Sequence, residues 1–285
     1  MGRMNTETRP EQFHRIERTR WRALCEAALL AVLFWVFSLS AVTLLGITGV
    51  LLGLPETMMN LEEEDLDANV LLLTSLALTC AAPLLAARIV GRDPARLLSV
   101  ERRFRLRPAL IAAGVAAAGY AVVEILGQFL WYDTAPVLTA RGLAFILVCV
   151  LVIPIQAAAE ELVFRAAIPQ IVGTWVRSPL VAYAAGAVFF VLGHGYNWIG
   201  LIDITVFALC AAYLTWATRG IEAATALHAV GNILAFSGLG LGINNPTQTD
   251  VSPWVAVQGC IESIVFTALI VWALRRWGVD TQRAV

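Results

Sequence analysis

The chain has 285 residues, 59% of them hydrophobic and only 14% charged, with a formal net charge of −1. That balance excludes an ordinary soluble domain, and a charge this close to zero gives no basis for binding nucleic acid. A mean hydropathy of +0.75 points instead to a polytopic membrane protein, all-α because backbone groups in lipid must be satisfied within their own segment.

In chain order, an Arg-rich arm at residues 1–22 comes first. Its pattern is compatible with a short cytoplasmic helix on anionic lipid, or with a solvated topology signal. His14 falls in this arm and is expected to be solvated and without a role. Apolar runs follow at 23–54, 68–90, 108–131, 142–172, 179–196, 200–217, 222–242 and 254–274, which predicts about eight spans in one helical bundle. The first run is about 30 residues long, against roughly 7 to 15 for a signal-peptide core, so it is expected to remain as a helix.

All 20 basic residues are arginine. Six precede the first run, seven lie between Arg88 and Arg107, Arg177 and Arg219 occupy later short loops, and Arg275, Arg276 and Arg283 follow the last run. The alternate loops, PETMMNLEEEDLD at 55–67 and NNPTQTDVSP at 244–253, are acidic or nearly uncharged. The positive-inside rule then places both termini in the cytoplasm of a multi-pass cell-membrane protein. The expected organisation is an arm at 1–22, one membrane domain at 23–277 and a tail at 278–285. The five cysteines have no ligand-like spacing and read as small apolar filler.

The informative stretch is QAAAEELVFRAAIPQ, residues 156–170, where Glu160, Glu161 and Arg165 interrupt an apolar segment. An ionisable side chain at the centre of a membrane helix costs roughly 2.5 to 3.5 kcal/mol, so a cluster of three needs a compensating role. Glu161 and Arg165 are spaced i, i+4 with the acid first, which favours a pair along one face. Glu160 points about 100° away, shares its face with Gln156 and has no cation on its own helix. It is therefore expected to face another helix. His194 ends the fifth run, with Phe190 one turn before it, and His228 in the seventh run has Asn232 one turn after it. Singly, each feature could be interhelical glue. Jointly, three helices offer carboxylate, imidazole and carboxamide in a bundle nearly empty of such groups, which points to a site. Glu124 and Glu262 have no Arg or His at helical spacing and are expected to make interhelical hydrogen bonds; Asp203 is expected at the water interface.

Poor solvation makes a carboxylate a better base, and His and Asn donors on neighbouring helices suit an oxyanion. The set suits hydrolysis of a peptide bond without a covalent intermediate, because there is no G-x-S-x-G elbow and no cysteine with a histidine at helical spacing. Three ligands, Glu160, His194 and His228, are also compatible with catalytic zinc, although no H-E-x-x-H is present. A proton-coupled transporter is a second class, and no inverted repeat supports it. A non-catalytic immunity or scaffold protein is a third.

Glu160-Glu161-x-x-x-Arg165, Phe190-x-x-x-His194 and His228-x-x-x-Asn232, in this order on successive spans, resemble the motifs of the CPBP family of intramembrane proteases. That family includes the type II CAAX prenyl endopeptidases and bacterial abortive-infection and bacteriocin-processing relatives. The resemblance covers residues 142–242. It implies an eight-helix bundle with a site reached from the cytoplasmic side, and a glutamate-dependent endopeptidase with no cofactor and no metal. By motif position, Glu160 would be the base, Glu161 and Arg165 would support it, and His194, His228 and Asn232 would stabilise the oxyanion and position water. The partners implied are membrane lipids and a peptide or membrane-protein substrate, such as a prenylated C-terminal peptide. Relatives commonly have Gly where this chain has Ala166. Straight helices rising about 1.5 Å per residue would put His228 about 9 Å from the cytoplasmic end of its span and His194 more than 20 Å from the start of its own. Convergence thus requires tilt of the fifth helix, a different start for it, or a kink at Pro154.

Overall fold

The computed structural model describes residues 12–16, 18–51, 65–130 and 135–282. Ten α-helices are arranged in chain order as α1 (Arg20–Leu51), α2 (Leu66–Leu78), α3 (Ala81–Ile89), α4 (Leu106–Leu130), α5 (Ala140–Glu161), α6 (Ile168–Val172), α7 (Pro179–Leu192), α8 (Trp198–Thr218), α9 (Glu222–Gly240) and α10 (Pro253–Arg276). A π-helical segment, Leu162–Ala167, joins α5 to α6 without a break. Among the described residues there is no strand, only an isolated bridge between Ser99 and Gly220.

Among the described residues, seven helical stretches are long and apolar enough to cross a membrane: α1, α2 with α3, α4, α5 through α6, α8, α9 and α10. The expected eighth, at 179–196, is not a span of that kind. It is α7, which has 14 residues and so reaches about 21 Å against a hydrocarbon thickness near 30 Å. It stops before His194.

Polar residues at the helix starts fix these boundaries. Thr139 accepts from Gly142 N (2.9 Å) and Asn197 from Gly200 N (2.9 Å), while Pro179 and Pro253 occupy the first turns of α7 and α10, where no backbone donor is needed. Pro154 lies inside α5, which stays helical through it. The departure from α geometry falls eight residues later, in the π segment.

Four apolar clusters surround the α5–α9 seam. One joins α1, α3 and the π segment through Leu30, Ala82, Ala86, Leu162 and Val163. A second joins α4, α8, α9 and α10, a third α2, α5 and α9, and a fourth α7 and α8 around Phe190 and Ala208. Alanine dominates these contacts, as expected where backbones must approach closely without a hydrophobic drive. Two glycines mark close approaches between helices. A Cβ on Gly142 would strike the carbonyl oxygen of Gly240, and one on Gly186 would strike that of Phe164. The first contact brings the start of α5 onto the end of α9, and the second lays α7 on the π segment.

The α5–α6 overshoot accounts for the depth mismatch between His194 and His228, and α5 stays helical through Pro154. The α5–α6 helix continues twelve residues past Glu160, about 18 Å, before the chain turns, and α7 climbs eleven residues from Pro179 to Phe190, about 17 Å. Phe190 therefore returns to the level of Glu160. Only six residues, about 9 Å, separate the start of α9 from His228, so the α6–α7 corner extends beyond the α8–α9 corner.

The overshooting corner is wrapped by the N-terminal arm and the segment after α3. Residues 12–16 and 18–19 are not helical, and His14 is fully buried rather than solvated. Its Nε2 lies 3.3 Å from the Arg177 carbonyl oxygen, and its ring centroid is 5.9 Å from that of Tyr183. Arg18 and Arg92, each exposing 7% of its side chain, converge on the buried carboxylate of Glu26. Arg18 also donates to Thr174 Oγ1 (3.0 Å) and the Gln170 carbonyl (3.1 Å); Arg92 donates to the Gln170 side-chain oxygen, and Gln170 Nε2 to the Arg96 carbonyl (2.9 Å). The rest of the expected arm helix, residues 1–11, and the acidic loop from 52 to 64 lie outside the described residues. The five cysteines are free.

Burial pushes the His14 imidazole below its ordinary value of 6.5. The undocked arm thus binds the proton more readily. Docking is fully favourable above that value and weakens as pH falls through it toward the folded value. Amide protection factors for residues 12–18 should be lower at pH 5.5 than at 7.5, and His14→Phe should remove that dependence. Equal protection at both pH values would contradict this assignment.

Candidate active site

α5 and α9 are antiparallel, so residues one turn apart on each form matching rungs. Asn232 Nδ2 donates to Gln156 Oε1 at 3.2 Å. One turn along, His228 Nε2 lies 3.5 Å from Glu160 Oε2, and His228 Nδ1 lies 2.9 Å from Glu161 Oε1. The imidazole is thus held between two carboxylates. Glu161, Arg165 and His228 are buried, whereas Glu160 keeps 14% of its side chain exposed.

Arg165 Nη1 lies 3.3 Å from Glu161 Oε1, as the i, i+4 spacing predicts. The same Glu161 oxygen also faces His228, a second partner on another helix. The intervening backbone is π-helical, with one extra residue in the turn, a feature that recurs at functional sites. The Arg165 guanidinium stands 4.0 Å above the Phe190 ring and 5.8 Å from that of Phe207, so two ring faces and one carboxylate meet its charge.

Phe190 ties the third histidine-bearing segment to this pair. Its ring is 6.1 Å from His228 and 4.6 Å from His194, and its carbonyl oxygen is 2.8 Å from His194 Nδ1. A carbonyl only accepts, so Nδ1 carries the proton and Nε2 is the nitrogen left for the site. Phe207 of α8 closes the ring of aromatics 5.1 Å from His228. Every residue of the three motifs therefore joins one constellation: Gln156, Glu160, Glu161, Arg165, Phe190, His194, His228 and Asn232. Ala166 is fully buried among the apolar side chains of α1 and α3, where its methyl is accommodated.

Residues 141–234 match the model of a family described as Rce1-like, type II CAAX prenyl endopeptidase. All eight of these residues fall within the match. The match covers about a third of the chain, which over this stretch is similar to the type II CAAX prenyl endopeptidases. Neither a curated protein nor a solved structure gives a significant match. The matched stretch runs from the start of α5 into α9, so α1 to α4 and α10 lie outside it.

Other intramembrane acids stand apart from this constellation. Glu262 accepts from Gln258 of its own helix (2.7 Å) rather than across helices as expected, and Asp203 is half-buried on α8 against Gly259 of α10. Among the described residues, neither they nor Glu124 pair with His194 or His228. Sequence reasoning missed Phe207, Tyr196 and the π segment. Helical spacing relates residues within one helix, and it carries no signal for an aromatic on a neighbouring helix or for one extra residue in a turn.

Removing Arg165 leaves Glu161 buried with one partner. Arg165→Gln should destabilise the detergent-purified protein by about 3–5 kcal/mol. Arg165→Lys keeps the charge but loses the flat face over Phe190 and should cost less, about 0.5–2 kcal/mol. Thermal denaturation checks both values, and equal stability of the Gln variant and wild type would contradict the paired arrangement.

Proposed function

We propose that the chain is a glutamate-dependent endopeptidase in which Glu160 activates water directly. One observation carries this reading: of the two carboxylates that hold His228, Glu160 alone keeps exposure and no arginine, while Glu161 is locked between His228 and Arg165. Glu160 takes a proton from water as the oxygen attacks the substrate carbonyl, and His194 Nε2 accepts the water's other hydrogen. Charge then develops on the carbonyl oxygen. Asn232 Nδ2 and His228 Nε2–H are the donors next to Glu160, and the 3.5 Å separation from Glu160 leaves His228 Nε2–H free to turn to the oxyanion. Collapse of the intermediate breaks the C–N bond, and the protonated Glu160 gives its proton to the leaving amine. Glu161 and Arg165 keep His228 oriented, Phe190 holds Arg165 and His194 apart at fixed distances, and Gln156 aims Asn232.

No metal is assigned to the reaction. One Glu161 oxygen is already shared by Arg165 and His228, and among the described residues no three His, Cys, Asp or Glu side chains are arranged around one point. The constellation lies about 9 Å from the α8–α9 corner. That corner packs on the Arg-rich 91–105 segment through the Arg105–Glu222 pair (2.8 Å). Positive charge on this side supports opening to the cytoplasm, with residues 142–242 as the catalytic core of a membrane domain at 23–277. The substrate class is a peptide or membrane-protein segment brought to the membrane, and prenylated C-terminal peptides belong to it by family.

Membranes carrying wild type and Glu160→Gln are compared by mapping new peptide termini, with and without a strong zinc chelator. Cleavages present with wild type, absent with Gln and retained with chelator are the expected outcome. Loss with chelator would replace the water-activating glutamate by a metal, and identical termini in both membranes would overturn the protease reading.

A further inference from the structure

The segment between α7 and α8 carries an aromatic ring that the proposed reaction does not use. Tyr196 lies two residues after His194, and the rings are nearly parallel, 22° apart with centroids separated by 5.8 Å. Phe190 is on the same imidazole at 4.6 Å. The Tyr196 hydroxyl donates to the Pro246 carbonyl at 3.1 Å, in the loop between α9 and α10. Asn197 is tied to the same loop three times: its backbone N–H to Thr249 O (2.8 Å), and its Nδ2 to Asp250 Oδ1 (2.6 Å) and Val251 O (3.0 Å). Burial, with the charges of Asp203 and Glu160, pushes the Tyr196 hydroxyl above its ordinary value of 10.

His194 needs such support. α7 ends at Leu192, so no helix restricts the imidazole, and a single hydrogen bond from Nδ1 to Phe190 O leaves the ring free to swing about it. We infer that Tyr196 is a positioning residue. Its stacked ring, carried on a segment that Asn197 ties to the 246–251 loop, holds His194 in the Nδ1–H form with Nε2 presented to the reacting atoms. The inference rests on the reading of His194 as a site residue. It assigns to the loop after α9, far from His194 in sequence, the task of fixing that imidazole.

The test uses the full chain, purified in detergent and labelled with ¹⁵N in its three histidines. In wild type the His194 ring should show one tautomer, with the proton on Nδ1. Tyr196→Phe keeps the ring and should keep that tautomer; Tyr196→Leu removes the ring and should average the two nitrogens, with His14 and His228 signals unchanged. On a peptide cleaved by wild type in the mapping experiment, Tyr196→Leu should lower kcat on the order of a hundredfold with KM unchanged, and Tyr196→Phe should stay close to wild type. A Leu variant with the wild-type tautomer and kcat overturns the inference. So does a Phe variant as impaired as Leu, or a Leu variant whose His14 and His228 signals also shift, since Tyr196 would then serve the fold at large. Loss of the protease reading would show separately, as cleavage surviving in Glu160→Gln, while the ring spectra still decide what Tyr196 does.

Discussion

One imidazole held between two glutamates sets the terms for the rest of this bundle. His228 brings two carboxylates on adjacent residues of α5 to α9 across the middle of the fold, where each unbalanced charge costs several kcal/mol. Such a clasp is stable only if its carboxylates find partners and its members are fixed. Arg165 supplies a cation, and the π segment places its guanidinium between Glu161 and the face of Phe190. This cluster explains why an otherwise apolar segment carries three ionisable residues.

Helix lengths follow from the same requirement. α5 through α6 is 33 residues long, more than a membrane needs, and α7 is too short to cross. Together they form a hairpin that overshoots and returns, bringing Phe190 and His194 back to the depth of Glu160. The exposed corner of that hairpin would be an unstable end without cover. The buried Arg18–Glu26–Arg92 triad, the Gln170 side chain and the docked His14 supply the cover, and so the polar arm is part of the fold that holds the site. Alanine-rich clusters and the close approaches at Gly142 and Gly186 let the flanking helices settle around the hairpin without displacing it.

The linear sequence exposed some of this directly. Seven of the eight expected spans appear close to their predicted bounds, because apolar run length reports on bilayer crossing. The facing of His228 with Asn232, of Glu161 with Arg165 and of Gln156 with Glu160 was readable from helical spacing alone, because each pair shares one helix. Interhelical facts were not readable in this way. Nothing local to Glu161 indicates that His228 is its second partner, and nothing local to His14 in a polar arm indicates that the ring is buried against Tyr183. The π segment adds a single residue to one turn, a change that leaves hydropathy and composition untouched. The apparent depth conflict arose from treating the fifth apolar run as a span level with its neighbours, when α7 starts at the far end of the overshooting α5–α6 helix.

Direct attack by a Glu160-activated water is the central claim, and oxygen labelling tests it most directly. In a single turnover in ¹⁸O water, the account predicts one ¹⁸O in the new carboxylate of the product and none in the Glu160 side chain, because the enzyme carboxylate only carries a proton. A product without label, together with ¹⁸O recovered in the enzyme peptide containing Glu160, would mean that Glu160 attacks the carbonyl itself, and would contradict the account.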